Sequence, residues 1–238
     1  MMKWRIILVI RMRKYRNEIK FIISKTMAEV LKQRLSLIMS VDNNSYNSDN
    51  SYLIRSLYFD NENSDAYYEK MDGVEYRKKY RIRIYNFDDK FIRLECKYKH
   101  NNMTSKDQIL IDKELCIKII DGKIDEIDLT KDNLLRQFAL DYRLNRLEPS
   151  IIVDYNRVAF TYHVSDVRIT FDSQIKSGMY NYNLFDKNAT TYRVIDDNQM
   201  VLEVKFNEIL PESIALILQT VPTFRQAFSK FAACRNIK

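Results

Sequence analysis

The stretch RKKYRIRIY at residues 77–85 constrains the fold more than any other feature of the chain. Arg77, Lys79, Arg81 and Arg83 fall on one side, and Lys78, Tyr80, Ile82 and Ile84 on the other. A period of two is the signature of a β-strand. A solvated strand face ordinarily mixes signs, because like charges in one row repel. The same alternation recurs in YRNEIKF, FIRLECKYK, VRITFD and VLEVKF. There Arg16, Glu18 and Lys20, then Arg93, Glu95, Lys97 and Lys99, then Arg168, Thr170 and Asp172, then Glu203 and Lys205 stand opposite apolar partners.

Strands are predicted near residues 14–22, 52–59, 74–85, 91–98, 105–112, 151–162, 167–172 and 200–206. Helices are predicted over 25–39, 129–147 and 211–220, with a short one over 224–234. Residues 42–51, 87–90 and 100–104 read as loops, because turn residues cluster there. About eight mostly antiparallel strands suit a closed barrel, which leaves no edge unpaired. Helices would then cover the outside, and the charged faces would line the interior. An open sheet with one wet face is the competing arrangement. Nothing divides the chain, which is read as one domain over residues 1–238.

Composition excludes several classes. With three glycines, neither GxGxxG nor a Walker phosphate loop can exist. Two histidines cannot form a His-rich metal site. Three widely spaced cysteines with no CxxC argue against a disulfide framework or zinc and fit a reducing cytoplasm. The apolar run at residues 6–10 is too short for a membrane span and reads as a lead-in to the first strand. The formal net charge of +7 favours an anionic partner. The cations include many arginines, whose planar fork matches phosphate oxygens. Packed in a barrel they would repel each other unless an anion joined them. Glu18, Glu95, Asp172 and Glu203 among them suit a Mg²⁺ or Mn²⁺ held beside phosphates. Each equally suits a salt bridge. Nucleic acid is not expected, because the tyrosines of these strands fall mostly on the apolar face, away from the cations.

In order along the chain stand RNEIK, SLYFD (56–60), RKKYRIRIY, LECK (94–97), Ser105-Lys106, DYNRVAF (154–160), VRITFD (167–172), VLEVK (201–205) and FSKF (228–231). This set resembles the polyphosphate polymerase (VTC) domain, a branch of the triphosphate tunnel metalloenzymes related to the CYTH group. The resemblance implies an eight-stranded antiparallel tunnel that binds ATP and inorganic polyphosphate with a divalent metal. It implies transfer of the terminal phosphoryl group of ATP to a growing polyphosphate chain. By motif, Lys20, Arg81, Arg83, Lys97, Arg157 and Arg168 would do the chemistry. Arg77, Lys106, Lys205 and Lys230 would bind substrate. Glu203 would be the main metal ligand, with Glu18 and Glu95 as further candidates.

The first strand departs from the wider family, with RxExK in place of ExExK. The missing carboxylate makes simple triphosphate hydrolysis a weaker expectation and agrees with the polymerase branch. The SPX sensor and membrane helices of the eukaryotic polymerases have no counterpart in this sequence, so regulation and translocation do not carry over. A membrane partner stays open. A triphosphate or polyphosphate hydrolase and a non-catalytic polyphosphate-binding module are the alternative activities.

Overall fold

A computed structural model describes residues 13–42, 49–130, 132–179, 181–222 and 227–237. The expected lead-in at residues 6–10, most of the 42–51 loop and the start of the 224–234 helix lie outside them. The strands are β1 (Arg16–Ser24), β2 (Ser40–Val41), β3 (Tyr52–Asp60), β4 (Tyr76–Tyr85), β5 (Asp88–His100), β6 (Met103–Ile111), β7 (Glu148–Tyr162), β8 (Val167–Ser177), β9 (Tyr192–Arg193) and β10 (Gln199–Phe206). The helices are α1 (Lys25–Leu35), α2 (Asp65–Met71), α3 (Lys113–Ile120), α4 (Asn133–Leu144), α5 (Glu212–Gln219) and α6 (Lys230–Arg235).

The eight longer strands close on themselves in the order β7-β3-β4-β5-β6-β1-β10-β8, and β8 pairs back to β7. Every pairing is antiparallel. The two-residue strands β2 and β9 only extend β7 and β8. All eight predicted long strands are present, with ends shifted by a few residues. The predicted loops at 87–90 and 100–104 shrink to tight turns, where Asn86, Phe87 and Asn101 adopt positive φ. Asn tolerates that conformation better than most residues. The strand predicted to stop at Asp172 runs on to Ser177. Gln174, at φ 50°, marks an irregularity there, where the β7–β8 register shifts.

The outer faces of the strands pack under helices. Leu57, Ile82, Leu94, Ile119, Leu135 and Phe138 belong to a core beneath α3 and α4. Leu31, Leu35, Ile169, Phe171, Leu202 and Val204 belong to a second beneath α1 and α5. Each fully buried Leu or Phe contributes about 1.5–3 kcal/mol. Ser24, Asp112 and Asp132 cap α1, α3 and α4, each accepting a hydrogen bond from a backbone N–H of the first turn. Sequence periodicity missed α2 and α3. Neither exceeds eight residues, and α2 buries none of its side chains.

The helix α6 corrects the expectation that helices cover only the outside. Its Phe231 and Cys234 pack with Ile54, Ile151, Val153, Ile175 and Val201. Val201 shares a strand face with Glu203 and Lys205, so this third core lies within the ring. The segment is anchored by polar contacts. Ser177 Oγ donates to the Cys234 carbonyl at 3.1 Å, and Lys20 Nζ to the Phe228 carbonyl at 3.2 Å. All three cysteines are buried and free. No helix of the described residues is long and apolar enough to cross a membrane.

Candidate functional site in the strand ring

One end of the ring interior is apolar and filled by α6. The remainder is a polar cavity of about 300 Å³, at the small end of the range for ligand sites. Eleven of the thirteen residues picked out from sequence line it. The exceptions are Arg77 and Glu95. Arg77 is half-buried beyond the lining, with its guanidinium donating to the Val74 carbonyl at 2.5 Å. Glu95 is fully buried behind the lining.

Five carboxylates organise the cations, and one of them, Asp42, accepts from Arg168 at 2.5 Å. Glu95 accepts from Arg81 Nε at 2.7 Å and Lys106 Nζ at 2.9 Å, with Arg83 3.8 Å away. Asp172 takes a two-pronged grip from Arg157, at 2.6 and 2.7 Å, and Lys230 at 2.5 Å. Glu18 accepts from Lys97 at 2.7 Å and lies 3.1 Å from Lys20. Glu203 pairs with Lys205 at 2.8 Å, and Arg157 is 3.7 Å away. Burial alone would push Glu18, Glu95, Asp172 and Glu203 up, as would the Glu18–Glu203 proximity. The cations outweigh both. Lys20, Lys97 and Lys205 hold Glu18 below its ordinary range, and Lys205, Lys20 and Lys230 hold Glu203 well below. Arg81, Arg83 and Lys106 do the same for Glu95.

The cations outnumber these acids. Twelve lysines and arginines line the cavity, against the five carboxylates just described. The surplus of seven equals the whole chain's formal +7, so the rest of the sequence sums to about zero. Facing positions on neighbouring strands repeat one sign: Lys79↔Lys97 and Arg83↔Arg93 across β4 and β5, and Lys97↔Lys106 across β5 and β6. Burial lowers Lys106 and Lys205 to about 8 against the pull of their carboxylates. It lowers Lys79 to about 7, with repulsion from Arg77 adding to it.

Parity reasoning missed three of the four cavity tyrosines, the exception being Tyr85, which shares the face of Arg81 and Arg83. Tyr52, Tyr58, Tyr85 and Tyr155 all line the cavity, which corrects the expectation of few aromatics beside the cations. Three come from β3 and β7, strands without charge alternation along their length. Each hydroxyl accepts from a different arginine: Tyr58 from Arg81 at 2.8 Å, Tyr155 from Arg83 at 3.0 Å, Tyr85 from Arg93 at 3.3 Å and Tyr52 from Arg168 at 3.2 Å. A neutral acceptor orients a guanidinium without cancelling its charge. Lys79, Arg16 and Arg93 also line the cavity. Strand parity had placed all three on the charged face, and only the motif comparison passed them over.

A divalent cation would find its best seat between β1 and β10. Lys20 faces Glu203 and Glu18 faces Lys205, so the two carboxylates are diagonal neighbours on one face. Thr170, directly across from Glu203, keeps a buried hydroxyl with no hydrogen-bond partner. An all-oxygen set of one or two carboxylates completed by phosphate suits Mg²⁺ or Mn²⁺. Glu95 does not join them, because two arginines and a lysine already surround it. Among the described residues no three acidic, histidine or cysteine side chains converge on one point.

The arrangement is a confined, cation-rich cavity whose donors point inward, suited to an anion that carries several charges. Solved structures of similar shape include PH1819 from Pyrococcus horikoshii, at 12% identity and TM-score 0.47, covering 92% of this chain and 94% of that one. Another is a Bacillus halodurans protein described as a "putative adenylate cyclase", at 12% identity and TM-score 0.48, covering 87% and 88%. Likenesses this distant carry no functional weight. No curated protein matches the sequence. The profile of the VTC domain matches residues 15–237. It takes in every strand of the ring and every residue of the cavity, and by that match the chain belongs to the VTC domain family.

Proposed function

We propose that the chain is a metal-dependent phosphotransferase that moves the terminal phosphoryl group of ATP onto a growing inorganic polyphosphate chain. The observation that carries this reading is the surplus of cations converging on one cavity inside a closed ring. Family membership supports polyphosphate or a triphosphate as the anion.

Phosphoryl transfer needs alignment and charge stabilisation more than a protein nucleophile. Donor and acceptor are both anions, so their mutual repulsion is the first obstacle. Arg81 and Arg83, adjacent on one strand face and each steadied by a tyrosine hydroxyl, present guanidinium forks to phosphate oxygens. Lys97, Lys106 and Lys205 supply charge from the facing strands. Arg157 and Lys230 are clamped on Asp172, next to Glu203. The α6 plug closes one end of the interior and limits water there. Glu203 and Glu18 would hold a Mn²⁺ or Mg²⁺ ion, whose chemistry there is to neutralise charge on phosphate oxygens.

A second reading is a polyphosphate-binding module without turnover. It is favoured by one observation: every carboxylate of the site is already engaged by a lysine or arginine. Incubation with γ-labelled ATP, Mn²⁺ and a short polyphosphate primer separates the readings. A ladder of long labelled chains, lost in Arg81→Ala, supports the polymerase. Labelled orthophosphate alone points to a hydrolase. Tight polyphosphate binding without turnover supports the module.

A further inference from the structure

Beyond the cavity lining, the same face of β4 and β5 continues to Arg77 and Lys99, which stand directly opposite each other. The next rung inward is Lys79 facing Lys97. Two successive rungs of like charge on one strand pair are destabilising. Lys70, near the end of α2, joins them, since α2 packs on β4 and Lys70 feels both Arg77 and Lys20.

This group differs from the core of the site in one respect. In the core nine of the twelve lining cations are gathered on five carboxylates. Among the described residues Lys70, Lys79, Lys99 and Arg77 form no salt bridge, and Arg77 bonds only a backbone carbonyl. The nearest acids compensate them only without contact, Asp60 attracting Lys79 and Glu69 attracting Arg77. Asp60 accepts from the backbone N–H groups of Asn61, Ala66 and Tyr67. Glu69 is itself pushed up, by burial and by Asp65. Burial and then mutual repulsion push Lys70 and Lys99 down. Such a cluster is stable only at a cost to the empty protein, and an anion lying across it removes that cost.

We propose that Lys70, Arg77, Lys79 and Lys99 form a second anion subsite, which takes phosphates of an inorganic polyphosphate chain that extend past those held in the core cavity. The proposal rests on the polyphosphate reading above and adds chain-length discrimination to it. A triphosphate is satisfied within the cavity of about 300 Å³. A long chain reaches the outer cations as well. Lys79 belongs to both zones, as it lines the cavity and faces Lys97. Lys70 and Lys99 belong to the outer zone alone.

The test is calorimetric titration of the full chain with tripolyphosphate and with long-chain polyphosphate, for wild type and a Lys70→Gln/Lys99→Gln double variant. Two partly solvated cations should be worth about tenfold in affinity for the long chain. Tripolyphosphate affinity should move by less than about twofold on the same reasoning, which also shows that the variant is folded. The slope of long-chain affinity against salt should fall by about two charges' worth. Equal loss for both ligands, or no loss for either, overturns the outer subsite. If wild type binds neither ligand, the polyphosphate reading falls and the subsite with it. If wild type binds both and the variant keeps its long-chain affinity, only the subsite falls.

Discussion

The ammonium of Lys79 lies 4.4 Å from the ring centroid of Phe231, so a strand cation of the cavity rests on the aromatic side chain of the plugging helix. A cation–π contact is weaker compensation than a carboxylate, and no carboxylate of the described residues reaches Lys79. Its proton is correspondingly weakly held, at about 7.

Lys79→Met should therefore stabilise the empty protein while weakening it as a polyanion binder. The folded state holds this proton less tightly than the unfolded chain does. Between about pH 7 and about pH 10.5 the unfolded chain binds more protons, so this group makes stability rise with pH across that window. Below it both states are charged and the folded state bears the full cost. The substitution should raise Tm near neutral pH by about 5 °C and flatten that slope. Thermal scans across pH check both, and an unchanged or lower Tm at neutral pH rejects the account.

Polyphosphate affinity should fall as pH rises. Lys79 at about 7 and Lys106 and Lys205 at about 8 lose protons that bound phosphates would retain. Binding then takes up protons, and affinity drops between about pH 6.5 and about pH 9. Titration in buffers of different ionisation enthalpy measures the uptake directly. Release of protons would contradict the assignment.

Tyr155→Phe should leave the fold intact and free the Arg83 guanidinium from one of its two neutral anchors, the other being Ser56 Oγ at 3.1 Å. Hydrogen bonds to charged groups contribute about 1.5–3 kcal/mol. A loss of about tenfold in anion affinity is expected, with the Tm of the empty protein lowered by about 5 °C. Tyr58→Phe should act likewise through Arg81.

Glu95→Gln removes the charge on which Arg81, Arg83 and Lys106 converge. Breaking a buried charge cluster costs about 3–5 kcal/mol, so the empty variant should unfold at clearly lower temperature. Added polyphosphate should restore much of the loss by mass action, because it replaces the missing negative charge. Denaturation with and without polyphosphate measures the difference.

Glu203→Ala should abolish turnover and keep measurable polyphosphate binding, since the cations remain and only the proposed metal seat is lost. Single-turnover assays beside binding titrations check this division. Parallel loss of both would assign Glu203 to architecture instead.

Where an inward strand face is charged, its sequence announces it. Arg81, Arg83, Glu95, Lys97, Arg168, Glu203 and Lys205 all sit on the face that period two assigns them, because a ring interior obeys the pleat. The β3 and β7 walls carry no such signal. Tyr58, Ile54, Val153 and Tyr155 look like core residues, and all four do pack in the core with Phe231, yet Tyr58, Ile54 and Tyr155 also line the cavity. Their inward direction follows from ring closure, a long-range property that no local window contains. The same holds for α6. Its residues read as a surface helix, while Ser229 and Lys230 meet cavity partners from strands far away in sequence. Arg77 shows the opposite error. It has the right parity, but its position along the strand carries it past the lining.

Because the cavity holds a charge surplus equal to that of the whole molecule, the protein behaves as an ion exchanger turned inside out. An anion bringing more than about seven negative charges into the ring reverses the sign of the entire particle. Empty and loaded forms would migrate toward opposite electrodes at neutral pH. Occupancy of an internal site would thus be written into a bulk property that distant molecules can sense through the solvent.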